Sequence, residues 1–96
     1  MAHVKCFITI FISPKDGLKG LTSKQKIAEK ILSKEGETTG TAKVAENRRR
    51  VTIYGTIHSK EGETSQQAID RVAKEISEAT ERTAVGKPEG WSPRKH

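Results

Sequence analysis

Every even-numbered position from Val4 to Ile12 is apolar: Val4, Cys6, Ile8, Ile10 and Ile12. The odd positions between them are mixed, with His3, Lys5, Phe7, Thr9, Phe11 and Ser13. A period of two sets these rows on opposite faces of an extended chain, so residues 3–13 read as a strand with one core face. Pro14, Gly17 and Gly20 then mark a loop. Thr22 followed by Gln25 has the spacing of a capping box, and Ile27, Ala28, Ile31 and Leu32 continue at helical intervals. With Gly36 as a left-handed stop, the first helix is expected over 22–35.

Residues 39–45 and 50–58 read as a hairpin. A two-residue turn at Asn47-Arg48 would set Val44 opposite Val51, Ala42 opposite Ile53 and Gly40 opposite Gly55. Thr64 with Gln67 gives a second capping box, and Ile69, Val72, Ala73 and Ile76 carry an apolar stripe through a helix expected over 64–82. Thr83-Ala84-Val85 is a short candidate edge strand, the counterpart of Thr41–Val44. The hexapeptide Ser-Lys-Glu-Gly-Glu-Thr occurs at 33–38 and again at 59–64, but at positions that are not equivalent, and reads as two solvated turns.

The second half of the chain repeats the plan of the first. Ile8-Thr9-Ile10-Phe11 is answered 43 residues later by Val51-Thr52-Ile53-Tyr54, and the Thr22 helix start is answered 42 residues later by Thr64. Two strand-helix-strand units joined by a hairpin imply right-handed crossovers and an α+β two-layer sandwich. The expected class is a ferredoxin-like βαββα(β) fold, an antiparallel sheet with two helices on one face. Strands one and three are then central, and residues 83–86 decide whether a fourth strand closes the sheet. Residues 1–86 form the single domain in this reading, and 87–96, with two prolines and a basic end, form a flexible tail.

Ninety-six residues with a single cysteine allow one modest core and no internal disulfide, which fits a reducing, cytoplasmic setting. The run Cys6–Ile12 is too short to span a bilayer, and no small-residue cleavage site follows it, so neither a membrane anchor nor a cleaved leader is expected. His3, His58 and His96 stand apart in the sequence, so no metal and no cofactor are expected. A net charge of +6 favours nucleic acid, an acidic protein or an anionic surface as partner.

The face turned away from the helices is where the remaining chemistry falls. It should carry Lys5, Phe7, Thr9 and Phe11 from strand one, and Arg50, Thr52, Tyr54, Thr56 and His58 from strand three. Strand two adds Thr41 and Lys43, and the hairpin tip adds Arg48 and Arg49. Rings can stack on unpaired bases while Arg and Lys neutralise phosphates. The expectation is a non-enzymatic module binding RNA or single-stranded nucleic acid through Lys5, Phe7, Phe11, Lys43, Arg48, Arg49, Arg50, Tyr54 and His58. The alternative is a protein-interaction module, a small regulator or inhibitor of the kind phages encode, docking on a larger complex through an acidic partner surface. A homodimer would use the same face, and Trp91 folding back onto the rings would cover it.

Catalysis is not expected. Cys6 falls on the core face, and no nucleophile, base and orienting group converge in the pattern. The RNA-recognition motif also places aromatics on two central strands, but Arg50-Val51-Thr52-Ile53-Tyr54-Gly55 lacks the order of glycine and aromatics in its third-strand signature. Acylphosphatases carry an arginine-containing glycine-rich loop after strand one, which Pro14-Lys15-Asp16-Gly17 does not resemble. Metal carriers of this fold need a CxxC, and Cys6 has no partner.

Overall fold

The computed structural model describes residues 2–44 and 49–89. Strand β1 (Ala2–Phe11) leads through a 3-10 turn (Pro14–Asp16) into helix α1 (Gly17–Glu35). Strands β2 (Gly36–Val44) and β3 (Arg50–Ser59) follow, then helix α2 (Ser65–Thr80) and strand β4 (Ala84–Pro88). The four strands form one antiparallel sheet in the order β2-β3-β1-β4. Helix α1 lies against β2 and β3, α2 against β4, β3 and β1, and the helices pack on each other. Among the described residues no helix is long and apolar enough to cross a membrane.

The alternation in β1 and β3 governs the sandwich. Val4, Cys6, Ile8, Ile10 and Ile12 are buried with Val51, Ile53 and Ile57 beneath Leu21, Ala28, Leu32, Ala68, Ile69, Val72, Ala73 and Ile76. Each fully buried Ile or Leu contributes about 1.5–3 kcal/mol against leaving it in water. Gly55 makes room for α1: a Cβ there would meet the Glu37 carbonyl oxygen at 2.3 Å and Leu32 Cδ2 at 2.7 Å.

Of the two capping boxes expected at helix starts, the one at α2 is where the sequence indicates. At α2, the Thr64 amide donates to Gln67 Oε1 at 2.9 Å and the Gln67 amide donates to Thr64 Oγ1 at 3.1 Å. Ahead of α1 a Ser13/Asp16 box caps the 3-10 turn instead: the Ser13 amide donates to Asp16 Oδ2, with Pro14 next in the chain. Asp16, the N-cap of α1, makes no side-chain cap hydrogen bond to the helix. The helix begins at Gly17, and Thr22 lies a turn inside it. Arg82 fastens this start by donating to both Asp16 oxygens, at 2.8 and 2.6 Å. That bonding holds the Asp16 carboxyl below its ordinary pKa.

Gly36 ends α1 in extended rather than left-handed backbone, with φ 172°. Glycine is needed there because of close approach, since a Cβ would lie 1.9 Å from the Thr56 carbonyl oxygen. Beyond it the two hexapeptide copies come together. Arg71 donates to Glu35 of the first copy at 2.8 Å and to Glu63 of the second at 3.0 Å, tying both turns to α2.

The hairpin register differs from expectation by one residue. Val44 pairs with Arg50, Lys43 with Val51, Ala42 with Thr52, Thr41 with Ile53 and Gly40 with Tyr54, with a bulge between Thr38 and Gly40. A two-residue turn at Asn47-Arg48 cannot give this ladder, and residues 45–48 lie outside the described residues. A slip of one reverses the two faces of a strand. Strand β4 is present and runs through Lys87 and Pro88, past the boundary expected at residue 86. Residues 90–96, with Trp91 and His96, are outside the described residues.

Candidate nucleic-acid interface

The sheet face away from the helices is built as rows of directly paired positions. In the central row Phe7 stands opposite Tyr54 on β3 and Lys87 on β4. The Phe7 and Tyr54 ring centroids are 6.1 Å apart at an interplanar angle of 47°, within the distance at which aromatic pairs attract and between stacked and edge-to-face in tilt. Gly40 pairs with Tyr54 on its other side and has no side chain to set directly opposite the ring.

One step along, Thr9 and Thr52 share a hydrogen bond of 3.0 Å between hydroxyls, with Val85 and Ala42 at the outer positions. The next row pairs Phe11 with Arg50. In the other direction Lys5 pairs with Thr56, whose β2 neighbour is Glu37. Exposure decides what a ligand can reach: Phe11 is 50% exposed, Val85 43% and Tyr54 41%, while Phe7 is half-buried between its neighbours. Phe7 and Phe11 are four residues apart, about 13 Å along the strand.

The structure thus brings together Lys5, Phe7, Phe11, Arg50, Tyr54 and His58 on one face. The remaining sequence-predicted residues stand as follows. Lys43 pairs with Val51 in the β2–β3 ladder, one register step from the pairing expected for it. Thr41, opposite Ile53, donates its hydroxyl to Glu29 Oε2 of α1 at 2.6 Å, which corrects the face expected for it. Arg49 is drawn off to the loop after β1, donating through Nη1 to the Pro14 carbonyl at 2.8 Å. Arg48 falls outside the described residues.

Two residues that sequence reading missed join the face, Val85 and Lys87, both delivered by β4. Their signal was the alternation Val85-Gly86-Lys87, in which the core-facing position is a glycine and so looks like a loop. Gly86 is buried because α2 presses there: a Cβ would stand 2.4 Å from Ile69 Cγ2.

His3 and His58 are not isolated, as their spacing implies, but paired across β1 and β3 with ring centroids 4.5 Å apart. Cys6 is buried, and desolvation, with a smaller push from Glu89, raises its thiol to about 11. Such a thiol carries little thiolate at neutral pH and is a poor nucleophile. Among the described residues, no group of three or more His, Cys, Asp or Glu stands together as a metal site. Comparison with known protein families, with curated proteins and with solved structures finds no match to this chain.

Proposed function

We propose that this chain is a small, non-enzymatic binding module of ferredoxin-like type whose open sheet face takes RNA or single-stranded nucleic acid. The observation that carries the reading is the Phe7–Tyr54 pair at the centre of that face, flanked by Lys5 and Lys87, with Phe11 and Arg50 at one end. Bases stack on Tyr54 and Phe11, whose rings are accessible, and Phe7 backs the Tyr54 ring. Lys5, Lys87 and Arg50 meet the phosphates between stacked bases. The strand order β2-β3-β1-β4 and the two helices packed against one sheet support the fold assignment. A reducing compartment such as the cytoplasm fits the single thiol.

The test is titration of a labelled single-stranded RNA at two salt concentrations. Affinity should fall with added salt, since displaced counterions make phosphate contacts salt-dependent. Tyr54→Ala should weaken binding roughly 5- to 150-fold, the equivalent of about 1–3 kcal/mol for one stacked base, and Tyr54→Phe should retain it. Absence of binding at low salt, or indifference to Tyr54→Ala, removes the proposal.

A second reading rests on the exposed apolar end formed by Phe11 and Val85. These are the side chains an acidic protein partner or a second copy of the chain would cover. Light scattering that reports a dimer, with monomers restored by Phe11→Lys, favours the homodimer. A pull-down that survives nuclease and high salt favours the protein partner.

A further inference from the structure

We propose that His3 and His58 form a bidentate site for a divalent transition cation of the Zn²⁺ or Co²⁺ class, bridging the two central strands. The proposal goes beyond nucleic-acid binding, and its test needs no nucleic acid, although His58 lies on the same open face. The two histidines are direct partners in the β1–β3 ladder, so their Cα positions are fixed by the sheet rather than by a loop. Both are exposed, and their rings already meet edge to face with centroids 4.5 Å apart at 69°. Together with Gly36, Glu37 and Thr56 they line a small pocket at the end of the open face.

The chemistry follows from that geometry. A neutral imidazole offers one lone pair, and Zn²⁺ takes it at about 2.0–2.1 Å. Two nitrogens on a tetrahedral ion are then about 3.3–3.4 Å apart. Small side-chain rotations convert the edge-to-face contact into that arrangement while the backbone stays in register. No third protein ligand of the His, Cys, Asp or Glu type completes the set among the described residues, so water fills the remaining positions. Glu37 borders the pocket and offsets part of the cation's charge. Imidazole suits Zn²⁺ and Co²⁺, whereas Mg²⁺ demands oxygen ligands in an octahedron, so the site discriminates between them.

The test uses the full chain, untagged and stripped of metal, in thermal melts with Zn²⁺, Co²⁺ or Mg²⁺. At Zn²⁺ about ten times its dissociation constant, binding to the folded state alone should raise Tm by roughly 5–10 °C. EDTA should reverse the shift and Mg²⁺ should not produce it. His3→Gln and His58→Gln should each weaken Zn²⁺ at least about tenfold, since both are exposed and neither change threatens the core. Imidazole NMR signals of His3 and His58 should move together during the titration. No shift in Tm or imidazole signals up to about 1 mM Zn²⁺ overturns the proposal. A shift that persists undiminished in the His3→Gln/His58→Gln double variant overturns it equally.

Discussion

Adding one methyl group at Gly86 tests how the fourth strand is held. Gly86 pairs with Ile8 in the β1–β4 ladder and is buried under α2. A Cβ there would lie 2.4 Å from Ile69 Cγ2 and 3.1 Å from Ile8 Cγ1. Carbon atoms in ordinary contact sit about 3.5–4.0 Å apart, so the first gap is short by more than 1 Å. Ile8 and Ile69 are both fully buried and have no solvent to swing into. Overpacking of this kind costs about 1–3 kcal/mol, against about 0.4–1 kcal/mol gained by stiffening the unfolded chain. The collision wins, and Gly86→Ala should lose about 1–2 kcal/mol net, lowering Tm by roughly 4–16 °C. Ile69→Ala alone opens a cavity and costs about 2–5 kcal/mol. In the double variant the new methyl occupies part of that cavity, so the two losses should fall short of additivity by about 1 kcal/mol or more. Urea unfolding of the four proteins measures the cycle. Strict additivity, or a neutral Gly86→Ala, would refute the packing argument.

Three other outcomes are expected. The Asp16 and Glu63 carboxyls are held below their ordinary pKa values, chiefly by hydrogen bonds from Arg82 and Arg71 respectively. A depressed carboxylate stabilises the fold above its unfolded pKa of about 4 and loses that contribution as pH falls through the folded value. Stability should therefore drop on acidification below about pH 4, and less steeply in Arg82→Met, as urea midpoints at successive pH values will show; equal slopes would count against the clamp. The Cys6 thiol, buried and raised to about 11, should react with a disulfide reagent at pH 8 at least about 100-fold more slowly in the native protein than in urea; comparable rates would place the thiol at the surface. Lys5→Gln should lower the salt-dependence slope of single-stranded RNA binding by about 0.7, whereas Arg49→Gln should change it less because Arg49 is held off the face at the Pro14 carbonyl. The reverse order of effects would move the interface to the hairpin end.

Much of the fold was legible because β1 and β3 alternate without interruption, and β3 is buried at every second position from Val51 to Ser59. The start of α2 was legible because its cap is local, complete within Thr64–Gln67. The start of α1 was not, because two capping patterns compete there, Ser13/Asp16 and Thr22/Gln25. The winner is clamped by Arg82, 66 residues away, which no local window contains. In β2 the apolar pattern is too thin to set a register. Its helix-side position Thr41 is polar and finds Glu29 instead of an apolar neighbour. That single slip removed Thr41 from the candidate face. Strand β4 was half hidden for the opposite reason: its buried residue is a glycine, chosen by the bulk of Ile69 rather than by hydrophobicity.

Charge alone does not locate the interface. Lys19, Lys26, Lys30 and Lys34 are exposed on α1, in the layer on the other side of the sheet, and they too can attract phosphate. What sets the open face apart is its rings. The buried core is aliphatic, built from Ile, Val, Leu, Ala and one Cys, and contains neither phenylalanine nor the tyrosine. Tyr54 and Phe11 therefore contribute little to holding the sandwich together, and removing a half-exposed ring leaves no cavity in the core. Folding and ring-dependent binding become separable for that reason. A lysine on α1 that matters only through attraction changes the salt slope, so its effect on affinity shrinks as salt is added. A stacking ring changes affinity at every salt concentration and leaves the slope alone, because it releases no counterions. Parallel displacement of the salt plot by Tyr54→Ala is thus the signature that the sheet face, and not the diffuse positive charge, is the binding surface.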